Sequence, residues 1–109
     1  MNSPAPRHVA ILGTGVAVPP AVLTAEELDT QSGLPAGESL RVTGIRQRHV
    51  TVHETAAQLA AEACRRALDD AGLEWRDVDC LVCASATMDQ ALPYNAAMVL
   101  AEMPQHPQH

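Results

Sequence analysis

Two adjacent stretches constrain the fold more than anything else in this chain of 109 residues. From Thr51 to Gly72, small or apolar residues at Ala56, Leu59, Ala60, Ala63, Cys64, Ala67, Leu68 and Ala71 recur at the i, i+3, i+4, i+7 spacing of one helical face. Thr51 with Glu54 reads as a capping box at the start, and Gly72 stands where a left-handed residue would close the helix. A stripe of such small side chains lets a helix lie close against a sheet. Asp77-Val78-Asp79 then leads into Cys80–Ala86, CLVCASA, an apolar run of strand length without alternation, as expected of a strand covered on both faces. Helix followed by buried strand argues for a parallel α/β sheet.

Upstream, His8–Val16 (HVAILGTGV) reads as an earlier buried strand ending in a turn at Gly13-Thr14-Gly15. Pro19 and Pro20 bar immediate entry into a helix interior, and Thr24 with Glu27 forms a capping box for a helix of one to two turns that stops before Gly33. Gln31–Gly37 is loop-like in composition. Leu40–Val50 mixes arginines with β-branched residues and reads as a turn at Gly44 and a short strand. Pro93 fits the first position of a last helix running through Met103, which Pro104 would end. The predicted organisation is a loose leader at 1–7, one α/β unit over 8–103 and a disordered tail at 104–109.

Composition narrows the function classes. Thirteen acidic against seven basic residues leave a net charge of −6, which repels a polyanion, so nucleic acid is not an expected partner. No apolar run approaches the roughly 18–20 residues a membrane span needs, and the start carries no signal-peptide pattern, so the expected location is cytoplasmic. The apolar share of 47% includes no Phe and much Ala. A core built of Ala buries little area per residue, and help from a partner is expected.

The candidate chemical motifs are each weak. Gly13-Thr14-Gly15 lacks a third glycine and is followed by prolines instead of a helix, so a structural turn is preferred to a dinucleotide fingerprint. Cys80-x-x-Cys83 matches the spacing of a redox or zinc site. It lies in an apolar run, however, and buried packing is the expected role of these thiols and of Cys64. His49 and His53 straddle the helix start, and His106 and His109 fall in the tail, so neither pair has the further ligands a metal needs. Arg41, Arg46 and Arg48 form a basic cluster able to grip a phosphate or carboxylate, or to pair with the chain's own acids.

Taken in order, the segments resemble a known family. Ile11-Leu12-Gly13-Thr14-Gly15 with Pro19, Leu23-Thr24, Thr43-Gly44-Ile45-Arg46-Gln47-Arg48, Glu54-Thr55, Ala71-Gly72, Asp77-Val78-Asp79 with Ala84–Thr87, and Pro93 together resemble the N-terminal part of β-ketoacyl-acyl-carrier-protein synthase III. The resemblance implies a thiolase-like fold of two α/β halves and a homodimer. It also implies acyl transfer from a thioester to a cysteine, then decarboxylative condensation with malonyl-carrier protein, with no separate cofactor or metal. The family's nucleophilic Cys, and the His and Asn that serve it, correspond to positions beyond His109, so Cys64, Cys80 and Cys83 inherit no catalytic role. The match breaks off near Met103, and the expectation is the N-terminal part of such an enzyme, inactive alone. The rivals are an interaction module that pairs with a full-length relative and a fragment of an ester-forming acyltransferase of the same fold.

Two site residues follow from the resemblance. The loop Leu34–Val42 corresponds to the segment touching the nucleotide of coenzyme A, but Glu38 stands where the family has a stacking Trp and Val42 where it has an Arg. Arg41, adjacent to Val42, is a candidate substrate contact that would compensate for these losses and keep nucleotide binding open, but the departure weakens the case for an acyl-coenzyme A donor and leaves room for acyl-carrier protein. Leu92 falls where the family places a bulky residue lining the partner's acyl pocket.

Overall fold

The computed structural model describes residues 4–92 and 94–104, so Pro93 as a helix start, His106, His109 and most of the predicted tail lie outside the described residues. The elements run β1 (Ala21–Thr24), α1 (Ala25–Ser32), α2 (Glu38–Thr43), β2 (Gln47–Val50), α3 (Ala56–Ala71), a 3₁₀ turn at Trp75–Asp77 and α4 (Asn95–Glu102). β1 and β2 form an antiparallel pair in which Leu23 faces Arg48 and Thr24 faces Gln47.

Thr24 caps α1 through the reciprocal Thr24–Glu27 box, and Gly33 closes it with a positive φ, as the sequence predicts. The start of α3 differs. Its N-cap is Thr55, boxed with Gln58, not Thr51 with Glu54. The Glu54 carboxylate instead turns back to accept the N–H groups of Val52 and His53. These bonds, Val52 foremost, hold its pKa below the usual carboxylate value. Gly72 closes α3 in the left-handed conformation, as expected.

The long helix is covered on two sides. Ala57 and Ala61, one step round from the predicted stripe, are its most buried residues and meet Val99 and Met103 of the α4 region. Cys64 and Leu68 extend that contact. On another side lies the extended segment 11–19, whose exposure alternates so that Gly13, Gly15, Ala17 and Pro19 are turned inward. The glycines are there for close approach: a Cβ on Gly15 would stand 2.3 Å from the carbonyl oxygen of Ala63. Neither Gly13 nor Gly15 has a positive φ, so the predicted turn is an extended stretch laid on α3. Arg66 Nη1 donates to the Val16 carbonyl at 2.7 Å, and the Thr14 N–H to Asp70 Oδ2 at 3.0 Å, pinning the stretch in place.

Both predicted buried strands thus lack a ladder. His8–Val16 and Cys80–Ala86 carry no strand pairing among the described residues, and Val9 and Ile11 are 89% and 85% exposed. Cys80 and Cys83 are exposed free thiols, against the expectation of burial, while Cys64 is half-buried. An apolar run reads the same whether or not its sheet neighbours are present, and here one side of each run packs toward α3 while no strand pairs with it among the described residues. The two segments and α3 border an open apolar groove of about 280 Å³, reaching from Ile11 and Leu12 past Cys64 and Leu68 to Trp75 and Leu81. The radius of gyration, 19.1 Å, is well above the roughly 13 Å of a closed domain of this length. The only pairing formed among the described residues is the antiparallel one, β1 with β2.

Candidate functional site

Residues 37–43, read from sequence as the end of a loop and the start of a turn, include the helix α2, bounded by Gly37 and Gly44, both with positive φ. Gly37 has no side chain with which to cap the helix. Asp29, 3% exposed on α1, supplies the cap from a distance: Oδ2 accepts the Gly37 N–H at 2.9 Å and Oδ1 the Ser39 N–H at 2.8 Å. The Ser39 hydroxyl and these backbone donors hold the Asp29 carboxyl below the ordinary carboxylate pKa. A carboxylate at a helix N-terminus also interacts favourably with the positive end of the helix dipole. α2 is therefore stitched to α1, and its outer face is presented by that single buried acid.

On that outer face Arg41 forms a forked pair with Glu38, Nε to Oε2 at 3.1 Å and Nη2 to Oε1 at 2.6 Å. The pairing raises the guanidinium pKa further. Of the two open readings of the arginine cluster, Arg41 takes the internal ion pair. Arg46 and Arg48 are exposed on or beside β2, and neither enters an ion pair among the described residues. Arg48 projects from one face of β2, which begins at Gln47, and Arg46 lies just before the strand. His49, on the other face, meets the Pro19 carbonyl with Nδ1 at 2.8 Å; a carbonyl only accepts, so the proton is on Nδ1.

Leu92 is 72% exposed, in the segment that leads into α4. α2 packs on α1 and α4 packs on α3, so Arg41 and Leu92 belong to separate parts of the fold. The segment that carries Leu92 is hydrogen-bonded through two residues that the sequence did not single out. Asp89 accepts the Ala56 and Ala57 N–H groups at 2.7 and 2.8 Å, and buried Asn95 accepts the Asp89 N–H at 3.1 Å. Asp29 and Asp89 were both invisible for one reason: their partners lie 8–10 and 32–33 residues away, beyond any local capping pattern.

Among the described residues no group of three or more His, Cys, Asp or Glu is placed to hold a metal ion, and no helix is long and apolar enough to cross a membrane. None of the three thiols is hydrogen-bonded to a histidine among those residues.

No family model matches the chain. Curated relatives do. It is 36% identical over 93 residues to the β-ketoacyl-[acyl-carrier-protein] synthase III of Vesicomyosocius okutanii, covering 85% of this chain and 30% of the relative. The synthase III of Symbiobacterium thermophilum is 37% identical over 102 residues, 92% of this chain and 31% of that one. Among solved structures, 3-oxoacyl-[acyl-carrier-protein] synthase III from Aquifex aeolicus superposes with a TM-score of 0.74 at 32% identity, over 84% of this chain and 30% of that one. The priming β-ketosynthase of the R1128 polyketide pathway gives 0.77 at 26% identity, over 94% and 31%. The chain spans about three-tenths of the length of the relatives it matches. The unladdered segments and the open groove are what a partial unit of that size leaves uncovered. By sequence and by its partial α/β, thiolase-like fold, the chain is a relative of the β-ketoacyl-[acyl-carrier-protein] synthases III.

Proposed function

We propose that these residues form the N-terminal portion of a synthase-III-type condensing enzyme, contributing scaffold and substrate contacts, and that residues 1–109 alone do not transfer acyl groups. The observation that carries the reading is the state of the thiols. An acyl-accepting cysteine needs a lowered pKa from a helix N-terminus or an imidazole. Cys80 and Cys83 lie exposed in an extended segment, and Cys64 lies in the middle of α3. In the complete enzyme the substrates are an acyl thioester and malonyl-carrier protein, the condensation is decarboxylative, and the unit works as a cytoplasmic homodimer. Arg41 and Leu92 are its proposed substrate contacts. The Arg41–Glu38 pair is exposed, so an anionic ligand competes with a weak interaction. Glu38 at the nucleotide-facing position favours acyl-carrier protein over coenzyme A as the donor, and an ester-forming acyltransferase of the same fold would make the same use of these residues.

Incubating the purified 109-residue chain with an acyl thioester and reading intact mass is expected to show no acyl adduct. A stoichiometric adduct on any cysteine would overturn the reading.

A second reading, association with a full-length relative through the uncovered surface, is favoured by exposed Val9, Ile11, Val16 and Val82, of which Ile11 also lines the groove. Exposed apolar surface promotes association. Light scattering on the chain alone should then report oligomers or aggregates, and a monodisperse monomer would count against it.

A further inference from the structure

The first turn of a helix leaves backbone donors without intrahelical partners, and at α3 each can be accounted for. The local box serves Thr55, whose N–H reaches Gln58 Oε1, and Gln58, whose N–H reaches Thr55 Oγ1. The Leu59 N–H is the first to bond within the helix, to the Thr55 carbonyl. That leaves Ala56 and Ala57, and both are taken by the two oxygens of Asp89. Asp89 in turn gives its own N–H to Asn95 Oδ1, and Asn95 Nδ2 reaches the Thr87 carbonyl. Asn95 is the first residue of α4 and is buried. The start of α3, the loop and the start of α4 are thereby joined in one chain of hydrogen bonds.

We infer that Asp89 is a positioning residue: by clasping the N-terminus of α3 it sets the course of residues 86–92, and with it the place of Leu92. A cap needed only for helix stability could come from a side chain beside the helix, as Thr55 already shows. A carboxylate borrowed from 32 residues downstream orders the loop that carries it, and does so with both oxygens, which restricts rotation as well as distance. The consequence for substrate rests on the reading of Leu92 as an acyl contact, whereas the clasp itself does not.

The test is ¹⁵N NMR of the 109-residue chain as wild type, Asp89→Ala, Asp89→Asn and Thr55→Ala. Asp89→Ala is expected to speed amide exchange at Ala56 and Ala57 by about fivefold, the equivalent of a lost cap. It should also drop the order parameters of 86–92 from about 0.85 toward 0.6. Thr55→Ala should weaken the same helix end while leaving 86–92 ordered, and Asp89→Asn, with one acceptor retained, should fall between. Unchanged order at 86–92 in Asp89→Ala, or equal loosening in Thr55→Ala, would overturn the proposal. Should Asp89→Ala fail to fold, Asp89→Asn against Thr55→Ala decides by the same comparison. The relaxation data read Asp89 alone, so their outcome is separate from whether Leu92 meets an acyl chain.

Discussion

Gly15→Ala should destabilise the chain by about 3 kcal/mol, at the upper end of the cost of forcing one extra carbon into a packed contact. The new Cβ would lie 2.3 Å from the Ala63 oxygen and 2.5 Å from the Ala67 nitrogen. These are backbone atoms of α3, so no side-chain rotation relieves the overlap. The extended segment has to lift from the helix, and the Arg66–Val16 and Thr14–Asp70 hydrogen bonds go with it. Gly33→Ala provides the contrast. Nothing lies within 4 Å of its added carbon, but its φ is +66°, so the cost is conformational, about 1 kcal/mol. Urea unfolding followed by circular dichroism measures both, and a Gly15→Ala chain as stable as wild type would show that segment 11–16 is not seated on α3.

The second large effect is expected at Asp29. Removing its carboxylate in Asp29→Ala leaves the buried Ser39 N–H and the Gly37 N–H without partners, and α2 has no cap of its own to fall back on. The helix that carries Glu38 and Arg41 should lose its order while α3 and α4, which pack elsewhere, persist. Amide exchange across 38–43 reads this directly. The pH dependence has a definite sign. Asp29 is held below its ordinary pKa of 3.8, by the Ser39 hydroxyl first and then by the Ser39 backbone, so folding favours the ionised form. Its contribution is complete above the unfolded-state value and is lost as pH falls through the lowered folded-state value. Protection of 38–43 should therefore decay only in strongly acidic solution, and in Asp29→Asn that acid-dependent step should vanish. An identical acid profile in Asp29→Asn would exclude Asp29 as the group responsible.

What was legible in the sequence was local. The Thr24–Glu27 box, the glycine stops at Gly33 and Gly72, and the existence of the long helix α3 need only residues within one turn of each other, and all appear in the structure. The order of the motifs also carried the family resemblance, because spacing along a chain survives without knowledge of contacts. The exact start of α3 was not fixed by local pattern, since Thr55-x-x-Gln58 satisfies the same rule as Thr51-x-x-Glu54. Choosing between two such boxes four residues apart required knowing that Glu54 spends its carboxylate on Val52 and His53.

The tertiary structure decided whatever depends on distant partners. It placed α2, which is short and held by an acid from another helix. It turned Gly13 and Gly15 from a turn into a bearing surface for α3. It left Cys80 and Cys83 exposed, because a strand's burial is supplied by its neighbours and not by its own residues. It engaged Arg41 with Glu38, where the arginine cluster in the sequence left both a grip on a phosphate or carboxylate and a pairing with the chain's own acids open. Short-range periodicity and capping are written into consecutive residues; burial, remote caps and charge pairing are properties of the surroundings, and only the folded chain supplies those.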